Sequence, residues 1–220
     1  MPYRRTENVV RRLAARHAAI VAAAREAASE GGMAAVQIAP VARRAGIAAG
    51  TVYRYFPGKT DLIAALVTEI SATEIAALRR AAAIAPGPLS ALSAAIMTFA
   101  ARMLRHRRLA FAVTAEPVDG VLDATQLAFR QELAAEFAAR ITAAIAGGRL
   151  PAQNAALAAT ALVGLLIESL TGPLAEPPAG AQPEPERERI QSLTLFALRA
   201  LGVADARARG LVVQTVVRED

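Results

Sequence analysis

Apolar residues recur along this chain at intervals of three and four, a spacing that places them on one face of an α-helix. The stripe of the first patterned segment, about residues 9–30, contains Val10, Leu13, His17, Ile20 or Val21, Ala24, and Ala27 or Ala28. Alternating β-branched residues are scarce before the C-terminal tail, and the long segments are rich in the helix formers Ala, Leu, Arg and Glu. The pattern therefore predicts an all-α fold.

Glycine and proline divide the chain into about nine predicted helices. The breaks fall at Gly31-Gly32, Gly46, Pro57-Gly58, Pro86 to Pro88, Pro117 to Gly120, Gly147 to Pro151 and Gly172 to Pro185. Two short helices follow the first one, a longer helix runs from about 59 to 83, and later helices lie near 88–105, 107–114, 121–146, 153–171 and 185–201. We expect one domain in residues 1–60 and a second in 61–220, linked by the helix from about 59.

The segment after Val36 has the spacing of two short helices joined by a tight turn. The inner stripe of the first helix follows the i, i+3, i+4, i+7 spacing: Ile38, Val41, Ala42 and Ala45. Gly46 ends this helix where a left-handed residue is usually needed, and Ile47 supplies an apolar plug before the next helix.

The second short helix is expected over residues 49–56, with Val52 and Phe56 one turn apart and facing inward. The spacing leaves Gly50, Thr51, Arg54 and Tyr55 largely outward and Tyr53 near the boundary. For both tyrosines, core packing is the minority interpretation because their neighbours already fill the inner face. Such a pair of helices is typical of a helix-turn-helix, which reads the major groove of DNA.

This segment resembles the DNA-binding signature of the TetR/AcrR family over about residues 10–70. The residues that carry the resemblance are Ala45-Gly46, the run from Gly50 to Phe56, Pro57-Gly58-Lys59 and Asp61-Leu62. The resemblance implies an N-terminal three-helix DNA-binding domain and a C-terminal helical ligand-binding and dimerisation domain. It also implies a homodimeric transcription repressor that a small-molecule effector releases from a palindromic operator, although an activator is equally compatible with DNA binding.

The same resemblance implies which residues contact DNA. The expected contacts are Gln37, Arg44, Ala49, Gly50, Thr51, Tyr53, Arg54, Tyr55 and Lys59. Gly50 would allow close approach to the bases, and Lys59 would meet a phosphate at a helix N-terminus. Two positions depart from the common pattern: Gln37 replaces a capping Ser or Thr, and Ala49 replaces a Lys, so that its methyl group would instead meet a thymine methyl. For Arg44 two interpretations are equally good: a solvated position on the helix surface, or a contact that holds the DNA backbone.

Positive charge is concentrated in the first quarter of the chain. Residues 1–60 hold ten Arg or Lys against three Glu, whereas residues 61–220 hold fifteen against sixteen Asp or Glu. This division is expected of one surface that meets a polyanion. Arg4, Arg5, Arg11 and Arg12 form either a flexible arm that enters the minor groove or a disordered basic tail.

The resemblance also implies an effector pocket and a dimer interface in residues 61–220. The effector is expected to be largely apolar, and the candidate pocket residues are Met97, Phe99, Arg102, Met103, Phe111, Glu116, Phe129, Leu133, Phe137 and Leu166. Ordinary core packing is at least as good an interpretation of each one. The dimer candidates on the last two long helices are Leu157, Ala161, Gly164, Leu165, Glu168, Leu193, Phe196, Ala197 and Ala200.

Other classes of protein find little support in the sequence. The chain has no Cys, its two His lie far apart, and no nucleophile–base pair or phosphate-binding glycine loop occurs, so we expect no cofactor, no metal and no enzymatic activity. The longest apolar run, residues 155–167, is too short to span a bilayer, and we expect a cytoplasmic protein, at the nucleoid when bound to DNA. The main alternative is a sequence-neutral DNA-architectural protein; a small helical enzyme has less support.

Overall fold

The computed structural model describes residues 3–116, 120–172, 175 and 184–215, and these residues form helices and no strands. In chain order, the helices are α1 (Tyr3–Ala35), α2 (Ile38–Arg44), α3 (Ala49–Tyr53), α4 (Lys59–Ala83), α5 (Pro88–Arg105), α6 (Arg107–Thr114), α7 (Gly120–Ala146), α8 (Ala155–Leu170), α9 (Glu186–Ala200) and α10 (Asp205–Gln214). The all-α prediction is confirmed. The predicted bounds of the helices from 59 to 114 match α4, α5 and α6; Gly and Pro mark the start of α4 and the break between α4 and α5, whereas α5 and α6 meet at His106.

Helix α10 is an addition to the prediction, which placed no helix beyond residue 201. Ala208, Leu211 and Val212 are buried at helical spacing, and α10 packs against α5 and α9. Gly210 and the pair Val212-Val213 have low helix propensity and obscure this helix in the sequence. Burial of its apolar face supplies the stabilisation that local propensity does not.

Helix α1 differs from its predicted form at both ends. It begins at Tyr3, and its C-terminal turns bend at Gly31-Gly32, where Gly32 adopts φ 69° and ψ −167° before the helix resumes to Ala35. The apolar stripe is buried from Ile20 onward, but Val10 is 58% and Leu13 50% exposed, and His17 is exposed as well. The first half of the predicted stripe is therefore not buried: Leu13 lines an open groove beside α3, and His17 lies against the ring of Phe56, with centroids 4.9 Å apart.

The body is built around α4, α5 and α7, which pack on one another, with α8 against α7 and α9 against α5. Its largest fully buried side chains include Phe99, Phe129 and Phe137. Helix α1 packs on α2, α4 and α6, and α2 packs on α3. This arrangement leaves the two short helices uncovered by the body.

Ion pairs join α4 to its neighbours. Arg102 on α5 donates to both carboxylate oxygens of the buried Glu74 on α4, at 2.6 and 2.9 Å. Glu136 on α7 accepts from Arg79 Nε on α4 at 2.7 Å and from Arg140 Nη1 at 2.7 Å. Burial alone would raise the pKa of Glu136, but the hydrogen bonds from Arg79 and Arg140 outweigh it and lower that pKa below its usual range.

The described residues include neither a membrane-spanning helix nor a metal-binding cluster. None of their helices combines the length and apolar character that crossing a membrane requires. No group of three or more His, Cys, Asp or Glu side chains among them could hold a metal ion.

Candidate nucleic-acid interface

The turn between α2 and α3 has the geometry that the sequence predicted. Gly46 lies in the left-handed region with φ 66°, its N–H donates to Arg43 O at 3.1 Å, and the N–H of Ile47 donates to Ala42 O at 2.9 Å. This pair of bonds is a Schellman motif, which satisfies the last carbonyl groups of α2. The turn sets the angle at which α3 leaves α2.

Helix α3 is anchored by two buried apolar side chains. Val52 is fully buried and Phe56 nearly so, as predicted, and the N–H groups of Tyr55 and Phe56 both donate to Val52 O at 2.9 Å. The regular helix ends at Tyr53, three residues earlier than expected, and a turn continues the chain to Phe56. On the opposite face, Gly50 and Arg54 are exposed and Thr51 is half-buried.

The two tyrosines exchange their predicted positions. Tyr53 is 54% exposed, whereas Tyr55 is half-buried against the core, with its ring centroid 6.5 Å from that of His17. Tyr55 follows the buried Val52 by three residues and so shares its side of the chain, while Tyr53 is rotated by about 100°. The minority interpretation, core packing, is therefore the right one for Tyr55, and Tyr53 is the tyrosine that faces solvent.

Arg44 is neither a solvated side chain nor a free clamp. Its guanidinium donates to both carboxylate oxygens of Glu30 at 2.7 and 2.6 Å and to Glu26 Oε2 at 3.4 Å, which fastens α2 to α1. The hydrogen bond with Glu30 raises the pKa of Arg44 and lowers that of Glu30. In this structure Arg44 fastens α2 to α1, and its contact with DNA remains a prediction.

The remaining predicted contacts lie at helix starts. Gln37 precedes α2 and is exposed, and its Nε2 donates to Ala34 O at 2.9 Å and makes no capping bond to α2. Ala49 is the first residue of α3 and packs partly against the core. Lys59 is the half-buried first residue of α4. Their contacts with DNA remain predictions.

Arg11 and Arg12 lie within α1 and are exposed, and the backbone of Arg4 and Arg5 belongs to the same helix. Neither predicted form, a flexible arm or a disordered tail, describes this segment. Arg12 instead lines a groove of about 550 Å³ between α1 and α3, together with Arg16, Thr51 and Arg54. Sequence reasoning missed Arg16, although its i, i+4 spacing from Arg12 places both on one helix face.

The predicted effector residues lie mostly in the core. Those that are buried are Met97, Phe99, Met103, Phe129, Leu133, Phe137 and Leu166, and Phe111 is half-buried. Arg102 and Glu116 were expected to anchor a ligand, but Arg102 binds Glu74 and Glu116 Oε2 accepts from the N–H of Met33 at 3.0 Å. Arg102, Met103 and Phe129 line a cavity of only about 10 Å³. Most of the side chains expected to line a pocket are buried in the core, and their contact with an effector remains a prediction.

The predicted dimer residues lie largely on one surface of α8 and α9. Leu157 is 67% and Phe196 58% exposed. Ala161, Gly164, Glu168 and Ala200 are also exposed, and Leu165 and Leu193 are half-buried. Six of the predicted residues line an apolar groove of about 340 Å³: Leu157, Ala161, Leu165, Phe196, Ala197 and Ala200. Ala197 is buried in its own chain, so it forms the floor of the groove and not an exposed contact.

Comparison with known proteins agrees with this geometry. Residues 20–66 match the family model of bacterial regulatory proteins of the tetR family. This range contains α2, α3 and the start of α4. No curated protein sequence gives a significant match.

Solved structures share the fold over nearly the whole chain at low sequence identity. RolR in complex with resorcinol is 20% identical, with 96% of this chain and 98% of RolR covered and a TM-score of 0.67. The fatty acid degradation regulator FadR from Bacillus halodurans is 18% identical, with coverages of 86% and 97% and a TM-score of 0.72. A tetR-family regulatory protein from Rhodococcus RHA1 is 22% identical, with coverages of 86% and 98% and a TM-score of 0.67.

Proposed function

We propose that the chain is a regulatory protein of the tetR family, whose model matches its residues 20–66, and that it represses transcription as a homodimer on a palindromic operator. The observation that carries this proposal is the exposed face of α3. Gly50, Tyr53 and Arg54 face solvent, while Val52 and Phe56 hold the helix on the core. A helix held in this way can enter the major groove without unfolding its support.

Residues of α3 and of the turn that follows it divide the proposed contacts with DNA. Gly50 lets the backbone approach the base edges, since it has no side chain and nothing lies within 4 Å of a Cβ built there. Arg54 and Thr51 contact bases or phosphates, and the Tyr53 hydroxyl donates to a phosphate. Lys59, at the N-terminus of α4, neutralises a further phosphate.

The groove between α8 and α9 supports the proposed dimer. Its exposed Leu157 and Phe196 are large apolar side chains that water covers in a single chain. Pairing of two copies through these helices would bury them and would relate the two α3 helices by a two-fold axis. Such a dimer reads half-sites one helical turn, roughly 34 Å, or a multiple of it apart.

A small-molecule effector would control the repressor through the body. RolR, of the same fold, was solved with resorcinol bound. In this chain, the small cavity beside Arg102 and Glu74 touches α1, α4, α5, α6 and α7, so a ligand that opens it would shift α1 and α4 against the body. The ligand would release DNA only by binding better to the conformation that separates the α3 helices from operator spacing.

Selection of duplexes from a random library, followed by fluorescence anisotropy at two salt concentrations, tests the proposal. We expect a palindrome whose affinity exceeds that of random DNA by 10³-fold or more, roughly the usual lower bound for specific binding. Absence of an enriched motif, with binding that disappears as salt rises, would favour a sequence-neutral architectural protein instead.

A further inference from the structure

The N-terminal half of α1 has few contacts with the rest of the described chain, and its His17 ring lies 4.9 Å from that of Phe56. Residues 7–19 are all exposed, although the segment includes Val9, Val10 and Leu13. Apolar side chains grouped on one exposed helix mark a surface for a partner. The composition of the exposed face indicates what that partner is.

One face of this segment forms a wall beside α3. Val9, Arg12, Leu13 and Arg16 follow one another at helical spacing, and together they line the groove of about 550 Å³. Thr51, Arg54 and Tyr55 form the opposite wall, and the turn around Ile47 forms the floor. The groove therefore opens beside the face of α3 that is proposed to enter the major groove.

The charge of the groove is entirely positive. Three guanidinium groups, those of Arg12, Arg16 and Arg54, line it, and no carboxylate does. None of the three forms an ion pair with a described residue, in contrast to Arg44, whose charge is balanced by Glu30 and Glu26. Unbalanced guanidinium groups four residues apart on a helix present two adjacent sites for anionic oxygens.

We propose that the α1 wall, defined as Val9, Arg12, Leu13 and Arg16, binds the sugar-phosphate backbone beside the major groove that α3 enters. This inference rests on the proposed DNA-binding function. Arg12 and Arg16 each donate to a phosphate, while Val9 and Leu13 lie along the intervening sugars. These contacts carry no sequence information, but they set the orientation of α3 on the duplex and enlarge the footprint of each subunit.

The salt dependence of DNA binding tests the α1 wall. Wild type, R12A/R16A and R12K/R16K are titrated against two duplexes of equal length, the duplex selected by the wild type and one of mixed sequence. The salt concentration is varied from about 0.05 to about 0.5 M. Loss of two phosphate contacts in each subunit, four in the dimer, should make the slope of log K against log salt shallower by about 3.6 on both duplexes. At 0.15 M salt this corresponds to a loss on the order of 10³-fold in affinity.

Two further variants distinguish phosphate contacts of Arg12 and Arg16 from a general effect of removing positive charge. R12K/R16K should restore most of the slope, because an ammonium also neutralises a phosphate. Arg207→Ala, which removes an exposed arginine of α10, is the matched control and should leave the slope unchanged. The preference for the selected duplex over mixed-sequence DNA should also be unchanged in R12A/R16A, and circular dichroism should show unaltered thermal unfolding.

An R12A/R16A slope equal to that of the wild type on both duplexes would overturn the inference. Failure of the wild type to prefer any duplex would overturn the proposed operator binding instead. In that case, the slopes on mixed-sequence DNA would still decide whether the α1 wall binds phosphates.

Discussion

Gly32 occupies the bend of α1 and is required there by two independent constraints. Its φ of 69° is unfavourable for residues with a side chain, and a Cβ built on it would lie 2.8 Å from Glu116 Oε2. The same carboxylate accepts the N–H of Met33, so the bend joins the DNA-binding domain to the end of α6.

Gly32→Ala should therefore lower the free energy of unfolding by about 1–3 kcal/mol, the usual cost of a strained backbone position. Gly50→Ala is the matched control, because Gly50 has no positive φ and nothing lies within 4 Å of its added Cβ. Chemical denaturation measures both variants. Equal stability of the two would show that Gly32 is not under strain. Gly50→Ala should instead weaken DNA binding.

Tyr53 is expected to contact a phosphate through its exposed hydroxyl. Tyr53→Phe should weaken binding to selected and mixed-sequence duplexes by the same factor, since a phosphate contact does not depend on sequence. Thermal unfolding should not change, because the side chain is exposed. Anisotropy titrations of both duplexes measure the effect, and a loss confined to the selected duplex would identify a base contact instead.

Arg54 is the residue of α3 best suited to read a base. If it contacts a guanine edge, Arg54→Ala should cost about 1–3 kcal/mol and relax the preference at one base pair of each half-site. Repeating the duplex selection with the variant reveals that position directly. Equal losses on every sequence would place Arg54 with Arg12 and Arg16 as a phosphate contact.

Between helices, the carboxylate of Glu136 links α7 to α4. Hydrogen bonds from Arg79 and Arg140 lower the pKa of Glu136 in the folded protein below its ordinary value of 4.5. The interaction of Glu136 with these two arginines therefore contributes its full stabilisation above about pH 4.5. The contribution is lost as the pH falls through the folded pKa, since the carboxylate then becomes protonated.

The difference in unfolding free energy between wild type and Glu136→Gln should thus be largest near neutral pH and should shrink as the pH falls below 4.5. Urea unfolding from pH 7 to pH 3 measures it. Glu69→Gln, which removes an exposed carboxylate of α4 that forms no ion pair with a described residue, controls for net charge. A Glu136→Gln difference that stays constant with pH would contradict the linkage.

For the whole molecule, the central prediction is dimerisation through α8 and α9. Gly164 is exposed on α8, and nothing lies within 4 Å of a Cβ built there, so Gly164→Arg should fold. At a helix–helix interface, however, the added side chain would separate the subunits. We expect a monomer by sedimentation and at least a tenfold loss of operator affinity, roughly the least that loss of the second half-site would cause.

Gly210→Arg is the control for this experiment. Gly210 lies inside α10, away from the proposed interface, and it also has open space around its Cβ. The control should remain dimeric. Dimers in both variants would place the interface elsewhere, and monomers in both would indicate a general effect of the added charge.

The sequence by itself determined the local features of this protein. Gly46, Val52 and Phe56 specify the turn and the anchored short helix, because left-handed φ and apolar spacing are properties of neighbouring residues. The Gly and Pro breaks likewise marked the start of α4 and the break between α4 and α5. The division of charge was also readable, since it needs only a count along the chain.

Only the tertiary structure determined which residues that are distant in sequence contact one another. It paired Arg44 with Glu30, joined Glu116 to Met33, packed Tyr55 beside His17, and buried most of the side chains expected to line a pocket. It also formed α10 despite weak propensity and placed Arg16 across from Arg54. These outcomes depend on which helix faces meet, and periodicity along a chain shows that a face is apolar without showing what covers it.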